Sequence, residues 1–360
     1  MRFIPSRLPS RRLVACVVLL VIAVPAISLG RALMRDDGLS ILGKGAAWGR
    51  NHGLSWFVDK AEEIRYGAPP SKDAATELDT AIPDVTTAPA IDAPANLTTP
   101  LPNPLPNEGT WIPVRSVSGR PVVWTTGVRP SSQFPSITAS YALIDPEVLR
   151  ARMYNGTEVP GGSGWLLGNK VADADRSGLV FAFNGGFRKE HARGGYYTEG
   201  RLVWPLVEGS ATIAIDKQGR MSLGVWGTDA GFNDQEMDRW ATIRQNLLPT
   251  VVDGRPSPEL KRGYWGGGKK GEIFILRSAV CIRYDGLIMF AIAGPTDATT
   301  LASALADAGC RMAMQLDQNE SYPRGYVFTP ESISEIDSRM MGKTSDYLTG
   351  SLREFFAFFE

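Results

Sequence analysis

The sequence predicts an α+β protein: a single globular extracytoplasmic domain of mixed or antiparallel sheets with a few helices, behind an N-terminal membrane anchor and a linker. Three observations carry that expectation. Short β-type runs punctuated by Gly, Pro or Asp recur from Thr110 onward, whereas only residues 237–246 and 299–308 there show helical spacing. Asp216-Lys217-Gln218-Gly219 and Tyr284-Asp285-Gly286 each separate two such runs, as hairpin turns do. Thirty-eight glycines and 25 prolines supply the turns that a strand-rich chain needs.

Taken in order, the 360 residues begin with Arg2, Arg7, Arg11 and Arg12 ahead of an apolar run at 13–29. That run is roughly 17 residues, the short end of what crosses a bilayer. Arginine ahead of it outnumbers Arg31 and Arg35 behind it, so residue 1 is expected in the cytoplasm and the rest outside. Ala26-Ile27-Ser28 also reads as a signal-peptide cleavage site; an uncleaved anchor over 1–35 is favoured, and either reading exports the remainder. Residues 36–66 carry Leu42, Leu54, Phe57, Val58 and Ile64 at helical spacing. This amphipathic segment either lies on the membrane through Trp48, Trp56 and Phe57 or packs on the main domain.

Residues 67–109 are rich in Pro, Ala and Thr, bury too little apolar area to offset ordering, and read as a tether. At ~3.1 Å per residue it would reach on the order of 100 Å. The domain is expected over 110–360, with strands at 121–126, 136–144, 179–183, 211–215, 221–225, 273–283 and 287–291. Its apolar tail, Leu352, Phe355, Phe356, Phe358 and Phe359, should dock as a closing element.

Composition excludes several function classes. Lys+Arg and Asp+Glu balance at 38 each, which gives no support for a nucleic-acid partner. Three cysteines and two histidines exclude most structural zinc frameworks. Cys281 and Cys310, in an oxidising compartment, are either a disulfide or two buried thiols. Residues 263–270 imitate a phosphate loop, but Lys270 stands where Ser or Thr is required and a strand follows, so they read as a flexible loop.

The chemistry is expected around residues 309–321, where an apolar run from Met312 to Leu316 ends abruptly at Asp317. Ligands gather at such strand ends. Asn184-Gly185-Gly186-Phe187 follows a second apolar run; its glycines would permit positive φ and turn N–H groups toward an oxyanion, and the Asn184 amide would hold a sugar hydroxyl or phosphate. Arg277 presents a planar fork that matches two phosphate oxygens. The polar loop after the turn adds His191 and Glu199, both suited to proton transfer.

In the order Asn184-Gly185-Gly186-Phe187, Arg277-Ser278-Ala279 and Ala313-Met314-Gln315-Leu316-Asp317, the chain resembles the phosphodiester glycosidase family over about residues 114–328. Gln318-Asn319 stand where that family has paired glycines, an Asp-x-Asn form expected of its actinobacterial members. The resemblance implies an exported, membrane-tethered hydrolase that cleaves between a sugar anomeric carbon and a phosphodiester oxygen of a cell-envelope or extracellular glycan. In it Arg277 would neutralise the phosphate, Asn184 would orient the sugar, and Asp317 would act as general base or metal ligand. Gly185, Gly186, His191, Glu199, Asn319 and Glu320 would touch substrate, with Glu199 or Glu320 as the second carboxylate that glycosidases use. A divalent cation, Ca²⁺ or Mg²⁺, would be held by Asp317 and Asn319 if one is used. The expected partners are a phosphorylated glycan and the membrane. The alternative is a non-catalytic glycan-binding or envelope-organising protein on a degenerate form of the same fold, for which Gln318-Asn319 speak.

Overall fold

The structure, a computed structural model, describes residues 23–35, 40–81, 94–262, 265 and 273–360. Residues 23–33 are helical, followed by helices α1 (Ile41–Asn51) and α2 (Ser55–Tyr66). The first strands are β1 (Ile112–Val117), β2 (Arg120–Val128), β3 (Thr138–Ile144), β4 (Arg150–Tyr154), β5 (Leu179–Asn184), β6 (Tyr196–Thr198), β7 (Arg201–Trp204), β8 (Ala211–Asp216) and β9 (Met221–Val225). After them come β10 (Trp240–Gln245), β11 (Val251–Val252), β12 (Arg255–Pro256), β13 (Ile275–Arg283), β14 (Ile288–Thr296), helix α3 (Ala298–Asp307), β15 (Cys310–Gln318), β16 (Gly325–Phe328), β17 (Ile333–Glu335) and β18 (Phe355–Phe359).

The strands assemble into three sheets, with order β1-β2-β3-β14-β13-β15-β11-β12, β7-β6-β10-β8-β9 and β17-β16-β5-β18-β4. Every pairing between these strands is antiparallel, as the hairpin turns at 216–219 and 284–286 require. Apolar runs such as Leu179–Asn184 and Phe355–Phe359 are buried along their whole length because their strands are central in the third sheet. The first and third sheets pack through aromatics: Phe290 of β14 stacks on Phe183 of β5 at 4.7 Å, and Phe183 meets Phe356 of β18 at 5.3 Å. Helix α3 forms where expected, its N-cap Asp297 accepting from the Thr300 N–H at 2.6 Å, and it buries Leu301 and Leu305.

Residues 237–246 differ from the helix expected there. Residues 234–239 form a 3₁₀ turn capped by Asn233, and Trp240–Gln245 is strand β10, paired on both sides by β6 and β8. Met237, Trp240 and Ile243 recur every three residues, as on a helix face, but ladder pairing on both edges of 240–245 decided the outcome.

The described parts of the Pro/Ala/Thr-rich segment lie against the domain. Thr80 bridges Asp337, the Asp79 carboxylate accepts from the Thr138 hydroxyl, and Glu108 is buried in an ion pair with Arg129 at 2.7 Å. Polar contacts, which an apolar count overlooks, hold these residues. Among the described residues no helix is long and apolar enough to cross a membrane; most of the run at 13–29 lies outside them.

Cys281 and Cys310, 29 positions apart in sequence, form a disulfide with sulfurs 2.01 Å apart. It ties β13 to the first residue of β15.

Candidate active site

Asp317 is the next-to-last residue of β15 and is buried, and an irregularity decides which way it points. Arg277 pairs with Gln318 while Ala279 pairs with Gln315, so two steps along β13 match three along β15. Such a bulge turns one residue out of alternation. Gln315 and Gln318 therefore both accept from the Nη1 of Arg277, at 3.1 and 2.5 Å. Asp317 is released to the other side, where its Oδ2 accepts from the Nη2 of Arg353 at 2.7 Å.

Arg277 and Asp317 consequently do not meet. The Arg277 guanidinium is sealed in the interior and also donates to the carbonyls of Thr296, Trp265 and Ile273. Burial pulls its pKa down to about 10, with Asp297 opposing. Every nitrogen is committed to a protein acceptor, so the fork has no edge left for a phosphate.

Asn184 and the two glycines do come to Asp317, in a supporting capacity. The Asn184 amide donates to Gly185 O and Ser278 Oγ at 2.8 and 2.9 Å and accepts from the Arg324 N–H at 2.9 Å. Gly185 O accepts from the Asp317 N–H, and Gly186 O from Arg353 Nη2. The N–H groups of the turn face protein acceptors: Gly185 donates to Glu354 O, Gly186 to Glu354 Oε1 and Phe187 to Asn246 Oδ1. Neither glycine has positive φ; both are required by close approach. A Cβ on Gly185 would stand 2.5 Å from Glu354 Cγ, and one on Gly186 would stand 2.8 Å from Asn246 Cγ. Gly185→Ala is expected to cost about 1–3 kcal/mol by overpacking, read as a lower urea midpoint.

Arg353 and Glu354 are the residues the sequence reading missed. The register pairs Phe355 with Asn184, so the residues just before β18 lie opposite those just after β5. This sets Glu354 beside Gly185 and Arg353 beside Gly186. The signal was there in a charged pair placed immediately ahead of the buried run 355–359. Glu354 is fully enclosed and holds Arg244 of β10 by an ion pair at 2.8 Å, while its Oε2 has no hydrogen-bond partner.

Asp317 itself is 6 % exposed, at the floor of a cavity of about 750 Å³ that runs beneath α1 and α2. Burial drives its pKa up to about 6, opposed by Arg353 and the Gln318 N–H and aided by Glu354. Of the other nominated residues, His191, Asn319 and Glu320 line the cavity. His191 is exposed on a single helical turn, where desolvation and Arg50 hold its pKa below the usual value. Glu320 is bonded to Arg65 of α2 at 3.0 Å. Glu199 lies elsewhere, its carboxylate accepting the N–H groups of Leu166 and Leu167 at 2.9 Å and so fixing their loop.

The cation set fits poorly. Arg353 occupies Asp317 Oδ2 and Asn319 Oδ1 accepts from the Ser321 N–H, leaving no pair of free hard oxygens for Ca²⁺ or Mg²⁺. Among the described residues, no three His, Cys, Asp or Glu side chains converge as a metal would need.

No protein-family model and no curated protein matches this chain. Several solved structures superpose on it, among them the following three. The catalytic domain of zebrafish N-acetylglucosamine-1-phosphodiester alpha-N-acetylglucosaminidase, auto-inhibited by its pro-peptide, does so with a TM-score of 0.44 at 12% identity, over 69% of this chain and 87% of that one. A hypothetical protein from Synechocystis gives 0.46 at 10% identity, over 70% and 65%. A putative exported protein from Burkholderia pseudomallei K96243 gives 0.36 at 14% identity, over 62% and 74%. Likeness at this level says nothing of what this chain binds.

Proposed function

We propose that this protein is an extracytoplasmic, membrane-tethered hydrolase of sugar-1-phosphodiesters in a cell-envelope or extracellular glycan. The observation that carries the reading is the Asp317–Arg353 pair on the cavity floor: a carboxyl whose pKa is raised to about 6, joined to a guanidinium that suits a phosphate. Asp317, protonated, gives its proton to the phosphodiester oxygen as that oxygen leaves the anomeric carbon. Water adds to the carbon, its proton passing to Glu320, and the products are a free sugar and a phosphate monoester. Arg353 takes the anion-binding role that Arg277 is too enclosed to play.

The full chain is to be incubated with the methyl phosphodiesters of glucose, mannose and N-acetylglucosamine at C1, and released sugar measured. Asp317→Asn should lower kcat/KM by roughly 100-fold or more, since general acid catalysis contributes on that scale. The sign with pH follows from the acid role. The wild-type rate should hold below about pH 6 and fall above it, as Asp317 loses its proton. An undiminished Asp317→Asn rate rejects the assignment.

A second reading, a glycan-binding protein without turnover, is favoured by one observation: Glu320 is already bonded to Arg65, so the site's second carboxylate is engaged. Tight binding of these diesters with no sugar released under any condition selects it.

A further inference from the structure

The cavity above Asp317 has a second wall that the hydrolase reading leaves unused. Leu42, Leu54, Phe57 and Val58 of the α1–α2 hairpin line it, and the first three are 65 %, 40 % and 64 % exposed. None of these four joins a hydrophobic cluster of the domain. The hairpin is held instead by polar bonds at its rim: Arg188 to Asn51 at 2.9 Å, Arg65 to Glu320 at 3.0 Å, and the Phe274 N–H to Tyr66 O at 2.9 Å. An apolar wall held away from the core by a polar rim encloses a space that hydrocarbon would fill favourably.

The opposite end of the same cavity is polar. Arg353 spends Nη2 on Gly186 O and Asp317, its guanidinium lies over the Tyr322 ring at 4.7 Å, and its buried Nε has no hydrogen-bond partner among the described residues. Arg188 and His191 line the cavity beside it. Leu29, from the helix at 23–33 that precedes the hairpin and overlaps the apolar run 13–29, also lines the cavity, so its apolar wall is continuous with the segment expected to meet a bilayer.

We infer that the cavity binds a membrane amphiphile with a phosphate or diphosphate head, the head at Arg353 and the hydrocarbon along Leu42, Leu54, Phe57 and Val58. Resting on the hydrolase reading, the substrate becomes a lipid-linked glycosyl phosphate, cleaved to free sugar and lipid phosphate. Amphiphile binding itself stands on the geometry alone.

The test uses the full chain in phosphatidylcholine nanodiscs titrated with octyl phosphate, inorganic phosphate and octanol, with protein-free discs as reference. Octyl phosphate should bind at least about tenfold tighter than either of the others. Phe57→Asp should weaken it by about tenfold, the scale set by burying one large apolar side chain. Trp56→Asp, on an exposed residue of the same helix outside the cavity lining, should leave it unchanged. Equal binding of octyl and inorganic phosphate, or equal losses in Phe57→Asp and Trp56→Asp, overturns the inference. Octyl phosphate bound with this pattern but no sugar released from any diester rejects the hydrolase reading and leaves the amphiphile site standing.

Discussion

Glu354→Ala should lower the unfolding free energy by about 3–5 kcal/mol, the usual cost of removing one partner of a buried ion pair. Arg244 and Glu354 are both inaccessible to solvent, and the pair is 2.8 Å apart. Without Glu354 the Arg244 charge keeps the carbonyls of Phe187 and Gln245 and the faces of Tyr196 and Trp204, at 5.5 and 5.0 Å, but no counter-charge. Gly186 also loses the acceptor of its N–H. Urea unfolding at neutral pH measures the loss, and Glu354→Gln, which keeps a polar acceptor, should lose less. A loss under about 1 kcal/mol for Glu354→Ala would mean that the pair contributes little.

Replacing both Cys281 and Cys310 by serine should cost about 3–4 kcal/mol. The cross-link closes a 29-residue separation, and the loop-closure entropy removed from the unfolded chain scales to that range. The enclosed segment contains β14 and α3, both packed in the core, so relaxation of the folded state has little room to offset the loss. Comparing urea midpoints of wild type with and without reductant against the double variant separates the cross-link from the substitutions. If the reduced wild type keeps the oxidised midpoint, the cross-link contributes no stability.

Much of the domain was legible because its strands are either wholly apolar or marked off by tight turns. Residues 179–183 and 221–225 were placed within a residue of β5 and β9 for that reason. Strand order in the sheets was not legible, since it depends on pairings between residues far apart in sequence. The candidate site was half legible. The apolar run that stops at a carboxylate and the Asn-Gly-Gly turn after a buried strand pointed to residues that the structure brings together, Asp317 with Gly185 and Gly186. Arg277 and Asp317 fell on opposite sides because of a one-residue irregularity in β15, a feature no side-chain pattern announces. Arg244 was obscured by the helical spacing of 237–246, and Arg353 and Glu354 by the apolar residues on either side of them, Leu352 and Phe355–Phe359.

Asp317 comes from the first sheet, Arg244 from the second, and Arg353 with Glu354 from the entry to the third. The arrangement of these side chains is therefore keyed to the mutual seating of all three layers rather than to any one of them. Loosening of a single layer should disperse these groups while most of the backbone signal survives, so the proposed hydrolysis should fade ahead of circular dichroism on gentle heating. A ligand lodged there acts as a keystone and raises the temperature at which the layers part.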